Sequence, residues 1–214
     1  MKRIVVMISG SGSNLQTLIE QIHLTDVDAE IVGVIANKPD AYGLTRAENA
    51  GIANVCVDSS LYANDRVAYD QLLISTIEQY QPDLIVLAGF MRILTDEFVT
   101  HYLGQLINIH PSLLPKYKGL NTHQRAMDNG DSEHGVSVHF VTPELDDGPV
   151  ILQAKVPIFS DDDADMLAQR VQVQEHHIYP LVVKWFVEGR LLMRSGKAVM
   201  DDQCLGANGF VADE

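Results

Sequence analysis

Residues 4–22 read IVVMISGSGSNLQTLIEQI, and this stretch decides the fold. Residues 4–8 form an apolar run that is typical of a β-strand buried on both faces. An amphipathic helix follows, because four apolar residues have the i, i+3, i+4, i+7 spacing of one helix face: Leu15, Leu18, Ile19 and Ile22. A second apolar run at residues 31–36 then completes a βαβ unit.

Further apolar runs continue this alternation of strands and helices. Residues 55–57, 84–88 and 106–109 are short and apolar, and residues 63–80 between two of them have a helical pattern. Strands that are apolar along their whole length are typical of parallel sheets covered by helices. We therefore predict an α/β fold, a single-domain Rossmann-like and mostly parallel sheet with helices on both faces.

The second half of the chain has a different rhythm. A long loop follows residue 110, and loops of this length are often functional. Residues 135–142 and 150–158 predict two strands joined by a turn-rich segment. Residues 164–188 predict a helix, which Pro180 should kink or interrupt because proline lacks the amide hydrogen.

The composition excludes several classes of protein. Of the 214 residues, 46% are hydrophobic and 21% are charged, as in globular chains. The net charge is −14, from 15 Lys and Arg against 29 Asp and Glu, which disfavours nucleic-acid binding. No apolar run approaches the roughly 20 residues of a membrane span. Two distant cysteines, Cys56 and Cys204, form neither a disulfide framework nor a metal motif, so we expect a reducing compartment and a cytoplasmic location.

A glycine-rich loop, Ser9-Gly10-Ser11-Gly12-Ser13-Asn14, joins the first strand to the first helix. Its backbone amides and the helix N-terminus can bind an anion without a cation. No Gly-Lys-Ser/Thr follows, and Leu15 stands where a dinucleotide fingerprint has its third glycine, so we expect a monophosphate rather than ATP or NAD. The alternative is structural, with Ser13 or Asn14 as the helix N-cap and the glycines for tight packing.

A second candidate site lies at the end of the strand predicted for residues 106–109. In Asn108-Ile109-His110-Pro111, the alternation of side chains places Asn108 and His110 on one face. Open α/β folds bind ligands at this carboxyl edge of the sheet. The alternative is a polar pair that only ends the strand, and the residues alone leave both open.

Carboxylates in two other places could complete a site. Asp146 and Asp147 lie in the turn between the last two predicted strands. A carboxylate near His110 would make the ring a better hydrogen-bond donor, although Asp-Asp-Gly is also ordinary turn chemistry. Glu175 lies beside the apolar stripe of the long helix, where it needs either a ligand hydroxyl pair or a neighbouring donor. His139, on a strand near the acidic turn, should line a cleft.

Four segments together resemble the folate-dependent formyltransferases. Residues 9–14, 88–92, 108–115 and 145–149 read SGSGSN, AGFMR, NIHPSLLP and LDDGP. Asn-x-His-Pro-Ser-x-Leu-Pro with a later Asp-x-Gly is the specific part of this resemblance. The first segment and residues 172–175 are similar, more narrowly, to the members that formylate glycinamide ribonucleotide in purine synthesis.

This resemblance implies one formyltransferase domain at residues 1–195. Gly196, Gly206 and Gly209 predict that the C-terminal tail, residues 196–214, is a hairpin or irregular. It implies transfer of a formyl group from 10-formyltetrahydrofolate, the co-substrate, to the amine of glycinamide ribonucleotide. No metal is expected. The expected partners are small-molecule substrates, with no nucleic acid and no membrane, and the protein is expected to be a monomer or a weak homodimer.

The resemblance also implies roles for individual residues. Asn108, His110 and Asp146 would be catalytic: the first two would stabilise the tetrahedral intermediate, and Asp146 would support His110. Glycinamide ribonucleotide would be bound by Gly12, Ser13, Asn14, Gln172, Val173, Gln174 and Glu175. Folate would be bound by Arg66, Met91, Arg92, Ile93, Leu94, Asn108, Thr142, Pro143, Glu144, Leu145 and Asp146. Asn121 stands where relatives have either His or Asn, so we expect no essential role for it.

Two other functions remain open at this point. The folate site could serve a different acceptor, an amino sugar or water. Alternatively, the glycine loop could belong to a non-catalytic sensor of a phosphorylated ligand, which need not bind a pterin. A sensor would leave Asn108, His110 and Asp146 without a purpose.

Overall fold

A computed structural model describes residues 1–210. The predicted tail therefore lies partly outside the described residues. The chain divides into two compact units, Met1–Ile107 and Asn108–Glu214. The main sheet has seven strands in the order β3-β2-β1-β4-β5-β6-β7, which confirms the predicted α/β, mostly parallel fold. The domain boundary predicted at residue 195 stays a prediction.

The first unit alternates strands with helices. Its elements in chain order are β1 (Lys2–Ile8), α1 (Ser13–Leu18), β2 (Ala29–Ala36), α2 (Tyr42–Asn49), β3 (Asn54–Cys56), α3 (Arg66–Glu78), β4 (Leu84–Leu87) and α4 (Asp96–His101). β1 pairs in parallel with β2 and β4, and β2 pairs in parallel with β3. Every residue of β4 is buried, as expected of a strand covered on both faces.

The helix after the glycine-rich loop is more irregular than its periodicity suggests. α1 ends at Leu18 and continues as a π-helical turn, Ile19–His23. The four apolar residues that predicted the helix face are nevertheless all buried. Burial of this stripe therefore tolerates a local change of helix type.

In the second unit, β5 (Leu106–His110), which begins at the end of the first unit, leads through a loop to α5. The later elements are α5 (Thr122–Asp128), β6 (Glu133–Phe140), β7 (Val150–Pro157), α6 (Ala164–Val187), β8 (Leu191–Arg194), β9 (Lys197–Met200) and β10 (Gln203–Cys204). β6 and β7 pair antiparallel, and β8, β9 and β10 form a separate antiparallel sheet. No helix within residues 1–210 is long and apolar enough to cross a membrane.

Of the two outcomes expected at Pro180, a kink or an interruption, the structure excludes the interruption, because α6 continues through this residue. Proline removes one backbone hydrogen bond and costs a helix interior about 3 kcal/mol. Tyr179, Pro180 and Val182 are all buried, and their packing compensates for the missing bond. Asp163 caps the start of the helix by accepting a hydrogen bond from the Met166 amide at 2.7 Å.

Candidate active site

Four polar side chains of the second unit form a continuous series of contacts. Asp146 Oδ2 lies 3.5 Å from His110 Nδ1, and Asp146 Oδ1 lies 3.9 Å from His139 Nε2. Asn108 Nδ2 lies 3.3 Å from His139 Nε2. The structure thus brings Asp146 to His110, as the sequence led us to expect, and joins Asn108 to them through His139.

His110 occupies the end of β5 and is buried. Its Nε2 lies 2.9 Å from the backbone oxygen of Tyr117, which can only accept a hydrogen bond. Its Nδ1 faces the Asp146 carboxylate. Because both ring nitrogens face oxygen acceptors, only a doubly protonated ring can donate to both.

The turn that carries Asp146 is tightly constrained. Asp146 itself has a φ of +48°, and its Oδ2 accepts a hydrogen bond of 2.9 Å from the Gly119 amide. A Cβ added to Gly148 would lie 1.8 Å from the Phe140 backbone oxygen, so only glycine fits there. The turn therefore holds the Asp146 side chain over His110, with only 10% of that side chain exposed.

Asp147, the other carboxylate of the turn, has a different environment. It is exposed, and Lys118 donates a hydrogen bond to its Oδ1. This hydrogen bond is the main reason that the pKa of Asp147 is lowered. Asp147 in turn raises the pKa of Glu144, by a hydrogen bond between the two carboxyl groups. The structure therefore separates Asp146, which faces the buried histidines, from Asp147, which faces solvent and a lysine.

The sequence did not reveal how closely His139 would contact the other polar groups. Its side chain is 2% exposed, and its Nδ1 lies 2.9 Å from the backbone oxygen of Phe140. Burial lowers the pKa of His139 to about 4. Its position on a strand just before the acidic turn was the only signal available, because the contact with Asn108 depends on how distant segments pack.

In the first unit, the glycine-rich loop begins α1 without a side-chain cap. Gly12 is the N-cap, with φ 70° and ψ 34°, so the alternative that made Ser13 or Asn14 the cap is wrong. A Cβ on Gly12 would lie 2.8 Å from the Gly43 Cα, which confirms that close packing requires the glycine. A left-handed backbone at this point replaces the extended residue that a Ser or Asn cap needs.

Arg46 supports this loop, and its role was not predicted from the sequence. Its Nε donates a 2.8 Å hydrogen bond to the Ser11 backbone oxygen, and its Nη1 donates one of 3.1 Å to Gln16 Oε1. No local pattern predicts such a contact, because Arg46 is 35 residues from Ser11 in the sequence. The guanidinium adds positive charge beside a loop that has no cation of its own.

The segment predicted to bind folate in the first unit is held by hydrogen bonds. The Met91 amide donates to Ser9 Oγ at 2.7 Å, and Arg66 Nη2 donates to the Ile93 backbone oxygen at 2.9 Å. Met91 is 69% exposed and Ile93 59% exposed, whereas Leu94 is buried. The segment is therefore fixed in position while it presents apolar side chains at the surface.

Arg92 differs from its neighbours in this segment. Its guanidinium lies 4.1 Å from the centre of the Tyr69 ring, which favours a cation–π interaction. Its Nε and Nη2 are buried, and within residues 1–210 they have no hydrogen-bond partner. These two donors are therefore polar atoms that the described part of the fold leaves unsatisfied.

The remaining predicted residues lie on α6 and on the loop after β6. Gln172 and Val173 are exposed on α6, and Gln174 and Glu175 are half-buried. In the loop after β6, Thr142 is half-buried and the next three residues are exposed: Pro143, Glu144 and Leu145. Asn121 is exposed and precedes α5 with a φ of +57°.

No group of three or more His, Cys, Asp or Glu side chains within residues 1–210 could hold a metal ion. Cys56 and Cys204 are both free thiols.

Comparison with known proteins identifies the family. The model of the formyl transferase family matches residues 2–183. Phosphoribosylglycinamide formyltransferase of Escherichia coli strain K12 is 56% identical over 211 residues, which cover 99% of each chain. The human trifunctional purine biosynthetic protein adenosine-3 is 42% identical over 91% of this chain, which matches 19% of the human protein. The solved phosphoribosylglycinamide formyltransferase of Coxiella burnetii, 48% identical, superposes with a TM-score of 0.92 over 97% of each chain. With its fold and most of its length shared in this way, the chain belongs to the formyl transferase family.

Proposed function

We propose that this formyltransferase transfers the formyl group of 10-formyltetrahydrofolate to the amine of glycinamide ribonucleotide, a step of purine synthesis. Support comes from the Escherichia coli and Haemophilus influenzae relatives, which carry the name phosphoribosylglycinamide formyltransferase and align with 99% and 98% of this chain. The observation that carries the proposal is the contact between His110 and Asp146 at 3.5 Å, with Asn108 joined to the same cluster.

In the proposed reaction, the substrate amine attacks the formyl carbon and the carbonyl oxygen becomes negative in a tetrahedral intermediate. The Asn108 amide and the His110 ring donate hydrogen bonds to this oxygen, and such donors are worth about 100- to 1000-fold each in rate. The intermediate then collapses: the carbonyl re-forms, the bond between carbon and the folate nitrogen breaks, and His110 passes a proton to that nitrogen. The attacking nitrogen gives up one of its own protons, which restores the proton that His110 has donated. Asp146 stabilises the positive charge on the ring through Nδ1.

One hydrogen bond must change for this chemistry. His110 Nε2 contacts the Tyr117 backbone oxygen, at 2.9 Å, and Nδ1 faces Asp146. The substrate oxygen therefore has to replace the Tyr117 oxygen as the partner of Nε2. Asp146 keeps its own contacts during this exchange, because the Gly119 amide and the constrained turn hold it.

The substrates are assigned to the predicted residues as follows. In the first unit, Gly12, Ser13 and Asn14 bind the phosphate of glycinamide ribonucleotide through backbone amides. In the second unit, residues 172–175 contact its sugar and glycinamide part. The folate-binding role predicted for Arg66, residues 91–94, Asn108 and residues 142–146 is part of this proposal. A cytoplasmic location and a monomeric or weakly dimeric state stay predictions.

The test is product formation with purified protein, 10-formyltetrahydrofolate and three acceptors: glycinamide ribonucleotide, an amino sugar and water alone. We expect formylation of glycinamide ribonucleotide to be faster than the other reactions by at least about three orders of magnitude. Preference for another acceptor would refute the proposed substrate. Calorimetric titration with the folate separates an enzyme from a phospholigand sensor, because a sensor need not bind a pterin.

A further inference from the structure

The hydrogen bonds of His139 determine which of its nitrogens carries the proton. Its Nδ1 lies 2.9 Å from the Phe140 backbone oxygen, and a carbonyl oxygen can only accept. Nδ1 must therefore carry a hydrogen. Burial holds the pKa of the ring at about 4, so the ring is neutral near pH 7 and its Nε2 has a free lone pair.

This free lone pair determines how Asn108 is oriented. An asparagine amide has one donor end and one acceptor end, and it can present either to a neighbour. Because His139 Nε2 can only accept, the group that faces it at 3.3 Å must be the Asn108 NH2. The amide is fixed in one of its two flipped orientations, and its second N–H remains available as a donor.

We infer that His139 is a positioning residue that orients the Asn108 amide, so that its NH2 group and not its carbonyl oxygen faces the reacting formyl oxygen. The inference rests on the proposed role of Asn108 as a donor to the tetrahedral intermediate. An Asn108 amide in the other orientation would place a carbonyl oxygen against a developing negative charge. The orientation of this one side chain then determines whether it stabilises or opposes the intermediate.

A neutral His139 also leaves Asp146 available to His110. The charged and titratable groups that act on His139 are Asp146, whose Oδ1 is 3.9 Å from Nε2, and His110. A positively charged ring at this position would attract Asp146 in competition with His110. Its Nε2 would also become a donor and could no longer accept from Asn108. Both contacts therefore require the neutral form with hydrogen on Nδ1.

The kinetic test compares His139→Met, which removes the acceptor at similar volume, with His139→Gln, which can return an oxygen acceptor near the position of Nε2. We expect His139→Met to lower kcat by about 10- to 100-fold with little change in either KM, and His139→Gln to recover much of that loss. His134→Met is the matched control, because His134 is also buried on β6 but contacts His123 instead, at 3.1 Å. The control should keep kcat within about threefold.

Epistasis distinguishes positioning from a general structural role. Asn108→Ala alone should lower kcat by about 100- to 1000-fold. If His139 acts through Asn108, the Asn108→Ala/His139→Met double variant should be as slow as Asn108→Ala, within about threefold. Multiplication of the two losses would overturn the inference. If Asn108→Ala keeps normal kcat, the proposed role of Asn108 is refuted; if only His139→Met keeps it, this inference alone fails.

The tautomer of His139 can also be measured by NMR on the wild-type protein, so this test does not depend on whether a variant folds. Long-range 1H–15N NMR correlations of the His139 ring should show hydrogen on Nδ1 and none on Nε2 between about pH 6 and pH 8. Nuclear Overhauser contacts should place the Asn108 NH2 hydrogens next to that bare nitrogen. A hydrogen on Nε2 would overturn the inference regardless of the kinetics.

Discussion

Replacing Asp146 by Asn removes the negative charge of this side chain and keeps its shape. Oδ2 of Asp146 accepts from the Gly119 amide at 2.9 Å, and an asparagine oxygen in the same place keeps that bond. The asparagine NH2 then lies where Oδ1 is now, 3.9 Å from the bare Nε2 of His139, which is an acceptor. Because each polar group keeps a suitable neighbour, we expect the variant to fold and to lose only the negative charge opposite His110.

The distance between Asp146 and His110 determines the size of the effect. Two unit charges 3.5 Å apart attract each other by about 5 kcal/mol at an effective dielectric constant of about 20. Since about 1.4 kcal/mol corresponds to a factor of ten, this attraction sets a ceiling of roughly three to four orders of magnitude in rate. Part of it is offset by solvation of the charge that develops on the ring. We therefore expect kcat to fall by about 100- to 1000-fold.

The assay is the initial rate of formyl transfer with both substrates saturating, together with the thermal unfolding midpoint of each protein. Asp147→Asn is the matched control, because it removes the same charge from the same turn but from a carboxylate that faces Lys118. It should retain kcat within about threefold. A wild-type kcat in Asp146→Asn, with an unchanged unfolding midpoint, would refute the assigned role of the carboxylate.

Three other outcomes follow from single contacts. Arg46→Met should raise KM for glycinamide ribonucleotide by about three- to tenfold at constant kcat, because the loop loses the 2.8 Å bond to the Ser11 oxygen; an unchanged KM would contradict a role for Arg46 at the loop. Gly148→Ala should lower activity at least about 100-fold, because its Cβ would meet the Phe140 oxygen at 1.8 Å, whereas Gly206→Ala, with open space, should behave as wild type. Burial lowers the pKa of His134 to about 4 from 6.5, so the folded protein binds fewer protons than the unfolded chain below pH 6.5, and stability falls as the pH drops from 6.5 to 4. Urea unfolding of His134→Met should show a pH slope smaller by about 1.4 kcal/mol per unit in that window, and equal slopes would contradict the assignment.

The parts of the fold that the sequence predicted are those fixed by local pattern. The apolar run of β1 and the spacing of Leu15, Leu18, Ile19 and Ile22 identify a buried strand and a helix face, and all of these side chains are buried. α5 was not predicted, because it spans only Thr122–Asp128 and buries two small residues of that span, Thr122 and Ala126. Pro180 does not end α6, although proline destabilises a helix interior, because buried neighbours hold this helix.

The candidate site likewise combines residues that local pattern predicts with contacts that it does not predict. Asn108 and His110 could be placed on one strand face by alternation alone, and the resemblance supplied Asp146. The contacts of Arg46 with Ser11 and of His139 with Asn108 join residues 35 and 31 positions apart. Such contacts depend on strand order and register, which periodicity does not determine. The supporting residues of a site are therefore harder to predict from sequence than the groups that they support.

The two histidines of the cluster show how such support produces different chemistry from one side chain. His110 faces two oxygen acceptors, the Tyr117 carbonyl and the Asp146 carboxylate, so each of its nitrogens has a hydrogen-bond acceptor as its neighbour. The nearest partners of the His139 nitrogens are an acceptor, the Phe140 carbonyl at Nδ1, and a donor, the Asn108 amide at Nε2, and a single neutral tautomer satisfies both. The two rings differ in the partner of Nε2, which is an acceptor for His110 and a donor for His139. This one difference makes His110 a proton donor and His139 a fixed hydrogen-bond acceptor. The backbone oxygens of residues 117 and 140 therefore contribute to the assignment of roles as directly as the carboxylate between the two rings.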